Sequence, residues 1–119
     1  SFNGVDWSAP SKESINYKED SEGGICRASA LDFDPNRIWY CYRKLKDYRG
    51  NTAEGYKIGY AEQQDSVWKR KDEEICLPRA DWDSHMQCYP AVIKHKDRYF
   101  MFYNGNGFGA TGIGYAILE

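Results

Sequence analysis

The chain has no apolar run long enough to cross a membrane, and its N-terminal stretch does not resemble a secretory signal. It has no basic stripe either, because 16 Lys and Arg residues are outnumbered by 18 Asp and Glu residues. Aliphatic side chains are scarce, as the mean hydropathy of -0.80 indicates. No segment shows helical periodicity, although 10–20 has the composition for one short helical turn. We therefore expect neither a membrane nor nucleic acid as a partner, and no helical fold.

The cysteines lack the close pairing that zinc sites require. Cys26, Cys41, Cys76 and Cys88 are widely spaced, with no second Cys or His nearby in a metal-binding pattern. No metal and no cofactor is therefore expected. Because the number of cysteines is even, two disulfides can form, in any of three connectivities. The favoured alternative is four reduced thiols that behave as small apolar side chains.

Aromatic residues and glycine are abundant in the chain. Phe, Trp and Tyr make up 16% of its 119 residues, and Gly occurs 11 times. With few aliphatic side chains, rings must supply much of the buried apolar area, and aromatic residues are typical of strands. Side chains alternate with a period of two in "RIWYCYR" (37–43) and in "RYFMFYN" (98–104). The length and this pattern predict one domain of all-β structure.

The chain also contains an internal repeat. Four pairs of matching stretches lie nearly in register: 26–31 with 88–93, 37–43 with 98–104, 58–61 with 113–116, and Trp7 with Trp68. The third pair is the identical tetrapeptide "IGYA". One such match can arise by chance, but four in the same order indicate a true repeat.

Each repeat is predicted to be an antiparallel unit of up to four strands over about 60 residues, which is typical of a β-propeller blade. The predicted strands are 26–31, 37–43, 56–62 and 67–70 in the first unit, and 88–94, 98–104 and 111–118 in the second. The predicted fold is thus a partial β-propeller of about two blades. Residues 1–20 are the end of a preceding blade with its last strand at 5–8, 21–75 are the first blade, and 76–119 are the second.

The repeat ends carry a family resemblance. "SFNGVDW" (1–7) and "YAEQQDSVWKR" (60–70) resemble the blade ends of the five-bladed β-propeller glycosidase superfamily, which includes arabinanases, fructosidases and mannoside phosphorylases. "WDSHMQCYPAV" (82–92) and "FMFYNGNGFGATGIGYAILE" (100–119) are similar to a bacterial subgroup of these propellers. The resemblance is to a C-terminal part, without the first blades where such families commonly place a catalytic carboxylate. It implies a glycan ligand, and we expect the bacterial cytoplasm as the compartment.

In a propeller, the innermost strand of each blade lines the central channel, and the loops at one mouth form the site. Arg27 and Tyr89 occupy equivalent early positions on those strands. An Arg at this position is suited to donate two hydrogen bonds at once to a carboxylate or to sugar hydroxyls. The alternative for Arg27 is an ordinary surface or inter-blade ion pair.

The loop "RADWDSHMQCYP" (79–90) brings acidic, aromatic and imidazole groups together. Glycoside hydrolysis uses two carboxylates, so Asp83 is a catalytic candidate, with Asp81 a weaker one. His85 is a candidate proton carrier, although it stands where the similar subgroup has an acidic residue. Trp82 is a candidate platform for a sugar face. The alternatives are loop capping by the Asp residues and a plain surface role for His85.

The stretch "NGNGFGATG" (104–112) connects two strands, so it is not the glycine loop of a nucleotide site, which opens a helix. Asn104 and Asn106 are predicted to offer amide groups to a hydroxyl-rich ligand. The alternative is that both sit in left-handed turns. Glu54, in the corresponding loop of the first unit, is a third catalytic candidate, or else a solvated loop residue.

Three functions remain open from the sequence: a glycoside hydrolase or phosphorylase, a non-catalytic carbohydrate-binding propeller piece, and a self-associating domain without sugar affinity. Two blades leave two open aromatic flanks, to which Trp39 and Phe100 are assigned. A homo-oligomer, most simply a dimer, is therefore expected, with residues 5–8 of one chain completing the second blade of another.

Overall fold

The described part of the chain folds into seven antiparallel strands in two sheets. The computed structural model describes residues 3–7 and 13–118. The first sheet contains, in order, β1 (Glu22–Leu31), β2 (Asp34–Lys44), β3 (Lys57–Gln64) and β4 (Val67–Arg70). The second contains β5 (Cys88–His95), β6 (Arg98–Asn104) and β7 (Ile113–Leu118). Within the described ranges, helix is limited to 3-10 turns at Asp72–Glu74 and Asp81–Asp83 and a helical turn at Asn106–Gly109. The predicted all-β class is confirmed.

The N-terminal prediction is wrong where it can be compared. Residues 5–7 form no strand, and residue 8 lies outside the described residues. The side-chain oxygen of Asn3 accepts hydrogen bonds from the backbone N–H groups of Val5 and Asp6, both at 2.9 Å. Such a side-chain bond bends the chain into a local turn and competes with an extended strand. The helical turn considered at 10–20 is absent from 13–20, and 10–12 lie outside the described residues.

The main hydrophobic core lies between the two sheets. Trp39 and Tyr60 of the first sheet stack with ring centroids 5.5 Å apart. Val92, Met101 and Tyr103 of the second sheet close over them. β5 provides most of the contact, since it packs on β1, β2 and β3. Because side chains alternate across a strand, Trp39 of β2 and Met101 and Tyr103 of β6 face this core.

The face of the first sheet that carries Trp39 and the face of the second sheet that carries Phe100 are equivalent in the repeat, and both face the same way. Trp39 was predicted on an open flank, but it is only 4% exposed because the second sheet covers it. Its repeat equivalent, Phe100, lies on the opposite side of the second sheet from Met101, where no described residue forms a further sheet. Phe102 is 40% and Tyr115 is 61% exposed on that outer face. The equivalent face is thus covered in the first repeat and open in the second.

The face of the first sheet that turns away from the second is closed by an ion-pair network. Arg70 donates two hydrogen bonds to the Glu22 carboxylate, at 2.6 and 3.0 Å, and two to Asp72, at 2.7 and 3.0 Å. The hydroxyl of Tyr40 donates to the other Asp72 oxygen at 2.5 Å. All three charged side chains are buried. Bidentate pairing of this kind compensates the cost of burying them.

Candidate functional site

Loops 45–56 and 105–112, together with residues 78–87 of the connection between β4 and β5, lie at one end of the sheets, where β2 and β6 end and β3, β5 and β7 begin. We call this the loop end. Residues 74–77 of that connection line a cavity at the opposite end. Two contacts join loop 45–56 to residues 78–87. The Thr52 hydroxyl bonds Nδ1 of His85, and the backbone N–H of Gln87 donates to the Tyr56 carbonyl at 3.2 Å. The structure therefore places the loop with Glu54 beside the loop with Asp83 and His85.

Asn106 joins residues 78–87 to loop 105–112. Its side-chain oxygen accepts from the backbone N–H groups of His85 and Met86, at 2.7 and 2.9 Å. Its amide nitrogen donates to the Asp81 carbonyl at 3.0 Å and to the Ser84 hydroxyl at 3.3 Å. Both ends of the amide are thus engaged in holding the loops together. Asn106 positions the loop end, and its hydrogen-bonding groups are already used within the protein.

Asn104 has a similar local role. Its amide donates to the Phe108 carbonyl at 3.0 Å. The alternative considered for Asn104 and Asn106, a position in left-handed turns, is wrong, because the positive φ values in this loop belong to Gly107, Phe108, Gly109 and Gly112. At Gly109, with φ of 101°, a Cβ would lie 2.6 Å from the Asn104 amide nitrogen. A glycine is therefore needed there for both the backbone angle and the close approach.

Trp82 is wedged into the protein and is not an open platform. Its ring stacks on Tyr103, with centroids 5.4 Å apart and planes inclined by 29°. A Cβ added to Gly105 or to Gly114 would come within 2.4 Å of the indole. The two glycines therefore form the slot that the ring fills. Thr111 closes the arrangement by donating from its hydroxyl to the Trp82 carbonyl.

Asp83 is a buried cap of its own loop. It is 1% exposed, and its carboxylate accepts from the Ala80 N–H at 2.6 Å, the Gln87 amide at 2.8 Å and the Tyr103 hydroxyl at 3.0 Å. Burial alone would raise its pKa, but these three hydrogen bonds outweigh burial and hold the pKa of Asp83 below its ordinary value. A general acid needs a raised pKa and access to substrate, and Asp83 has neither here.

The remaining acidic candidates, Glu54 and Asp81, form hydrogen bonds within the loops only through their backbone groups. The Glu54 N–H donates to the Asn51 carbonyl at 3.1 Å, and the Glu54 carbonyl accepts from the Lys44 N–H at 3.2 Å. Glu54 is half-buried, and Asp81 is exposed. Neither carboxylate hydrogen-bonds to another described residue. They are therefore unengaged groups at the loop end, in contrast to Asp83.

Arg27 and Tyr89 have a backbone geometry that the sequence does not reveal. Both have left-handed φ, 56° at Arg27 and 58° at Tyr89, which is disfavoured for residues with a side chain. Both lie in β-bulges: β1 gains a residue between Cys26 and Ser29, and β5 gains one between Cys88 and Ala91. The two repeats thus carry the same irregularity at the same position. Such strain is characteristic of functional sites.

In and beside the second bulge, two backbone N–H groups of β5 hydrogen-bond to side chains of the first sheet. The N–H of Tyr89 donates to Sγ of Cys41 on β2. The N–H of Val92 donates to the Ser29 hydroxyl on β1 at 2.9 Å. Buried backbone donors must find a partner, and here the neighbouring sheet supplies it. The conformation of β5 at Tyr89 is therefore fixed by contacts between the repeats.

Three rings from three parts of the chain meet beside Arg27. We call Tyr56, Tyr89 and Phe108 the ring cluster; their centroids are 5.6 to 6.4 Å apart. The Arg27 guanidinium carbon lies 5.4 Å from the centre of the Tyr89 ring. All three rings are half-buried, while Arg27 is exposed. Neither Tyr56 nor Phe108 was predicted from the sequence. A large apolar side chain among the glycines of 104–112 is the signal that could have identified Phe108.

A small thiol layer lies under the ring cluster. Cys41 and Cys88 are buried and Cys26 is half-buried, and all four cysteines of the chain are free. Burial raises the pKa of Cys88 to about 11. Burial likewise raises the pKa of Cys41, although the Tyr89 N–H and Arg27 counteract it. The thiols of Cys41 and Cys88 are therefore protonated at neutral pH, and they support the rings as small apolar groups.

The opposite end of the sheets contains a cavity of about 330 Å³ between the two layers. Trp39, Tyr60 and Met101 contribute to its walls. Its polar groups are already paired, since Arg37 bonds Asp34 and the Tyr99 hydroxyl, and the Tyr60 hydroxyl donates to Glu62. A ligand pocket presents unpaired polar groups that fix orientation. We therefore place the candidate site at the loop end.

Other kinds of site find no support in the part of the chain that the structure describes. No group of three or more His, Cys, Asp or Glu residues there is arranged to hold a metal ion. No helix in residues 3–7 and 13–118 is long and apolar enough to cross a bilayer. The loop end therefore offers rings, guanidinium groups and a few carboxylates as its chemistry.

Comparison with known proteins gives two relatives. No family model and no solved structure matches the chain. Two uncharacterized proteins of Mycobacterium tuberculosis, from the strains CDC 1551 and H37Rv, are each 34% identical to it over 123 residues. These matches cover 100% of this chain and 38% of each relative. The chain therefore spans little more than a third of the length of the curated relatives it matches.

Proposed function

We propose that the chain is a two-blade part of a β-propeller and that it binds carbohydrate at the loop end. The observation that carries the proposal is the paired geometry of Arg27 and Tyr89. Equivalent residues of two repeats share a left-handed backbone, lie in equivalent β-bulges and bring a guanidinium over a ring. Strain retained twice at one position supports a function for that position, since a fold alone gains nothing from it.

The chemistry of the loop end suits a sugar. Carbohydrate sites combine aromatic surface, which contacts the apolar face of the ring, with a few polar groups that orient the hydroxyls. The ring cluster supplies the first, and Arg27 supplies N–H donors for the second. The Arg27 guanidinium lies over the Tyr89 ring and hydrogen-bonds to no described residue, so its N–H groups are available for oxygen acceptors.

Binding is better supported than catalysis for this chain. Hydrolysis of a glycoside requires two carboxylates on either side of the scissile bond, one of them with a raised pKa. The strongest sequence candidate, Asp83, is buried and has a lowered pKa. Glu54 and Asp81 are unengaged, but His85 is tied through Thr52 and Asn106. A non-catalytic carbohydrate-binding role therefore fits the loop end best.

The test is a glycan array followed by calorimetry on the hits. We expect binding that Tyr89→Gly removes, because the variant deletes the ring while leaving a residue that tolerates the positive φ. The matched control is Tyr17→Gly, which deletes an exposed ring from the segment before β1. No binding to any glycan, or equal loss in both variants, would refute the proposal.

A second property, self-association, is favoured by the open face of the second sheet. The equivalent face of the first sheet, which carries Trp39, is covered by Val92, Met101 and Tyr103. By that equivalence, the open face with Phe102 and Tyr115 is suited to receive another blade, and we propose a second copy of this chain as the occupant in a dimer. We also propose the cytoplasm as the compartment, because the free cysteines fit a reducing environment.

A further inference from the structure

Of the seven arginines of the chain, two form ion pairs with carboxylates and three lie against rings at the loop end without an ion pair to any described residue, whereas Arg79 and Arg98 do neither. Arg37 and Arg70 form ion pairs with carboxylates on their own sheet. Arg27, Arg43 and Arg49, at the loop end, form no ion pair with any described residue. Cations placed together without counter-charges repel one another and lower stability, unless a ligand supplies the opposite charge.

The three unpaired arginines lie against aromatic rings. The Arg43 guanidinium lies 3.9 Å from the centre of the Tyr48 ring, and Arg49 lies 4.7 Å from it. Tyr48 in turn packs edge-on against Tyr56, with centroids 6.0 Å apart. Together with Arg27 on Tyr89, these contacts extend the ring cluster into a row of alternating cations and rings.

Arg43 is fixed in place with unused donor capacity. A Cβ added to Gly24 would lie 3.1 Å from Arg43 Nε, so the guanidinium is held between the Gly24 backbone and Tyr48. Nη1 donates to the Lys44 carbonyl at 2.8 Å, whereas Nε is buried and hydrogen-bonds to no described residue. Arg43 therefore contributes an uncompensated positive charge from a rigid position, and Arg27 contributes one from an exposed position.

The positive field reaches the groups of the ring cluster. Burial raises the pKa of Tyr56, and Arg43 acts against that increase. Arg27 acts in the same direction on the buried thiol of Cys41. Of the carboxylates at the same end, Asp83 is engaged within its own loop, and the unengaged Glu54 and Asp81 form no ion pair with Arg27, Arg43 or Arg49. The surface beside Tyr89 thus favours negative charge.

We propose that the carbohydrate ligand of the loop end is acidic, and that Arg27 receives its carboxylate while Arg43 and Arg49 strengthen the attraction. The ligand class is a glycan containing a uronic acid or a comparable carboxylated sugar. An Arg fork matches a carboxylate bidentately, and the rings take the apolar face of the same sugar. This inference rests on the proposed carbohydrate binding and adds the charge of the ligand to it.

The experiment uses oligogalacturonides and oligoglucuronides, each beside its carboxyl-reduced neutral counterpart, with calorimetry on the intact chain. We expect the acidic member of at least one pair to bind at least about tenfold more tightly, since a charge-assisted hydrogen bond contributes that much or more. The preference should weaken as salt is raised. Arg27→Gln should remove most of it, whereas Arg98→Gln, an exposed arginine at the start of β6, should leave it unchanged.

The outcomes separate the two proposals. If the acidic and neutral members bind equally, carbohydrate binding stands and the acidic preference is refuted. If Arg27→Gln and Arg98→Gln weaken acidic binding alike, the attraction comes from net charge alone, and the assignment of the carboxylate to Arg27 is refuted. If no member of any pair binds while other glycans on the array do, the ligand is not of this class. If no glycan binds at all, both proposals fail.

Discussion

Replacing Arg27 by glycine and by alanine gives a direct measure of the strain at the bulge. Both variants lose the guanidinium and its contact with Tyr89, so that contribution cancels between them. A left-handed backbone costs a residue with a Cβ roughly 1–2 kcal/mol, and glycine avoids this cost. Against it stands the greater freedom of glycine in the unfolded chain, roughly 0.5–1 kcal/mol. We therefore expect Arg27→Gly to be more stable than Arg27→Ala by about 1 kcal/mol.

The sign of this difference is unusual for a strand, and that makes the test sharp. At a strand residue with ordinary φ, glycine is the less stable choice. Ala30, exposed on β1 and paired with Ile38, is such a residue, and Ala30→Gly should lose roughly 0.5–1 kcal/mol. Urea unfolding followed by tryptophan fluorescence resolves these differences, because about 1 kcal/mol shifts the midpoint by roughly 0.3–1 M. Equal or greater stability of Arg27→Ala would show that the bulge is not strained.

Three further predictions concern the rest of the molecule. Arg70→Met should lower the free energy of unfolding by about 3–5 kcal/mol, because it leaves the buried Glu22 carboxylate without a counter-charge and leaves Asp72 only Lys18, 3.4 Å away; a loss below about 1 kcal/mol in urea unfolding would contradict this. Below about pH 4 the wild type should lose stability more steeply than Asp83→Asn, because a carboxylate whose pKa is lowered by folding stabilises above its unfolded pKa and loses that contribution as the pH falls; parallel stability curves would argue otherwise. Phe102→Lys should weaken self-association in sedimentation velocity, and a wild-type monomer of 13.8 kDa at micromolar concentration would refute the dimer.

The strands were predictable because their signals are local. Alternation marks β2 and β6, and short polar turns separate them from β1 and β5. The extension of β1 back to Glu22 was not predicted, since it depends on Arg70, which is distant in sequence and fixes that end of the strand. The bend at 3–7 was missed because the Trp7 match outweighed the turn-forming tendency of Asn3.

The candidate site was predictable in place but not in detail. The repeat alignment brought Arg27 and Tyr89 to equivalent positions, and the structure places them in contact. Their left-handed backbone could not be foreseen, because neither residue type favours it and the bulge depends on partners in another sheet. Asp83 shows the opposite error. From the sequence, a carboxylate in a loop is easily taken for a catalytic group. The hydrogen bonds of Asp83 to Gln87 and Tyr103 show instead that it is a structural cap.

The cross-sheet bonds of β5 affect how this architecture can be altered. Tyr89 and Val92 complete their hydrogen bonds on Cys41 and Ser29 of the other repeat. A repeat of this kind cannot be exchanged as an independent unit, because the backbone of its β5 strand is held by acceptors that belong to its neighbour. A graft of residues 88–118 onto another scaffold would have to carry a thiol and a hydroxyl at the matching places. Substitutions at Cys41 and Ser29 would, for the same reason, act on the site from beneath without touching a ligand.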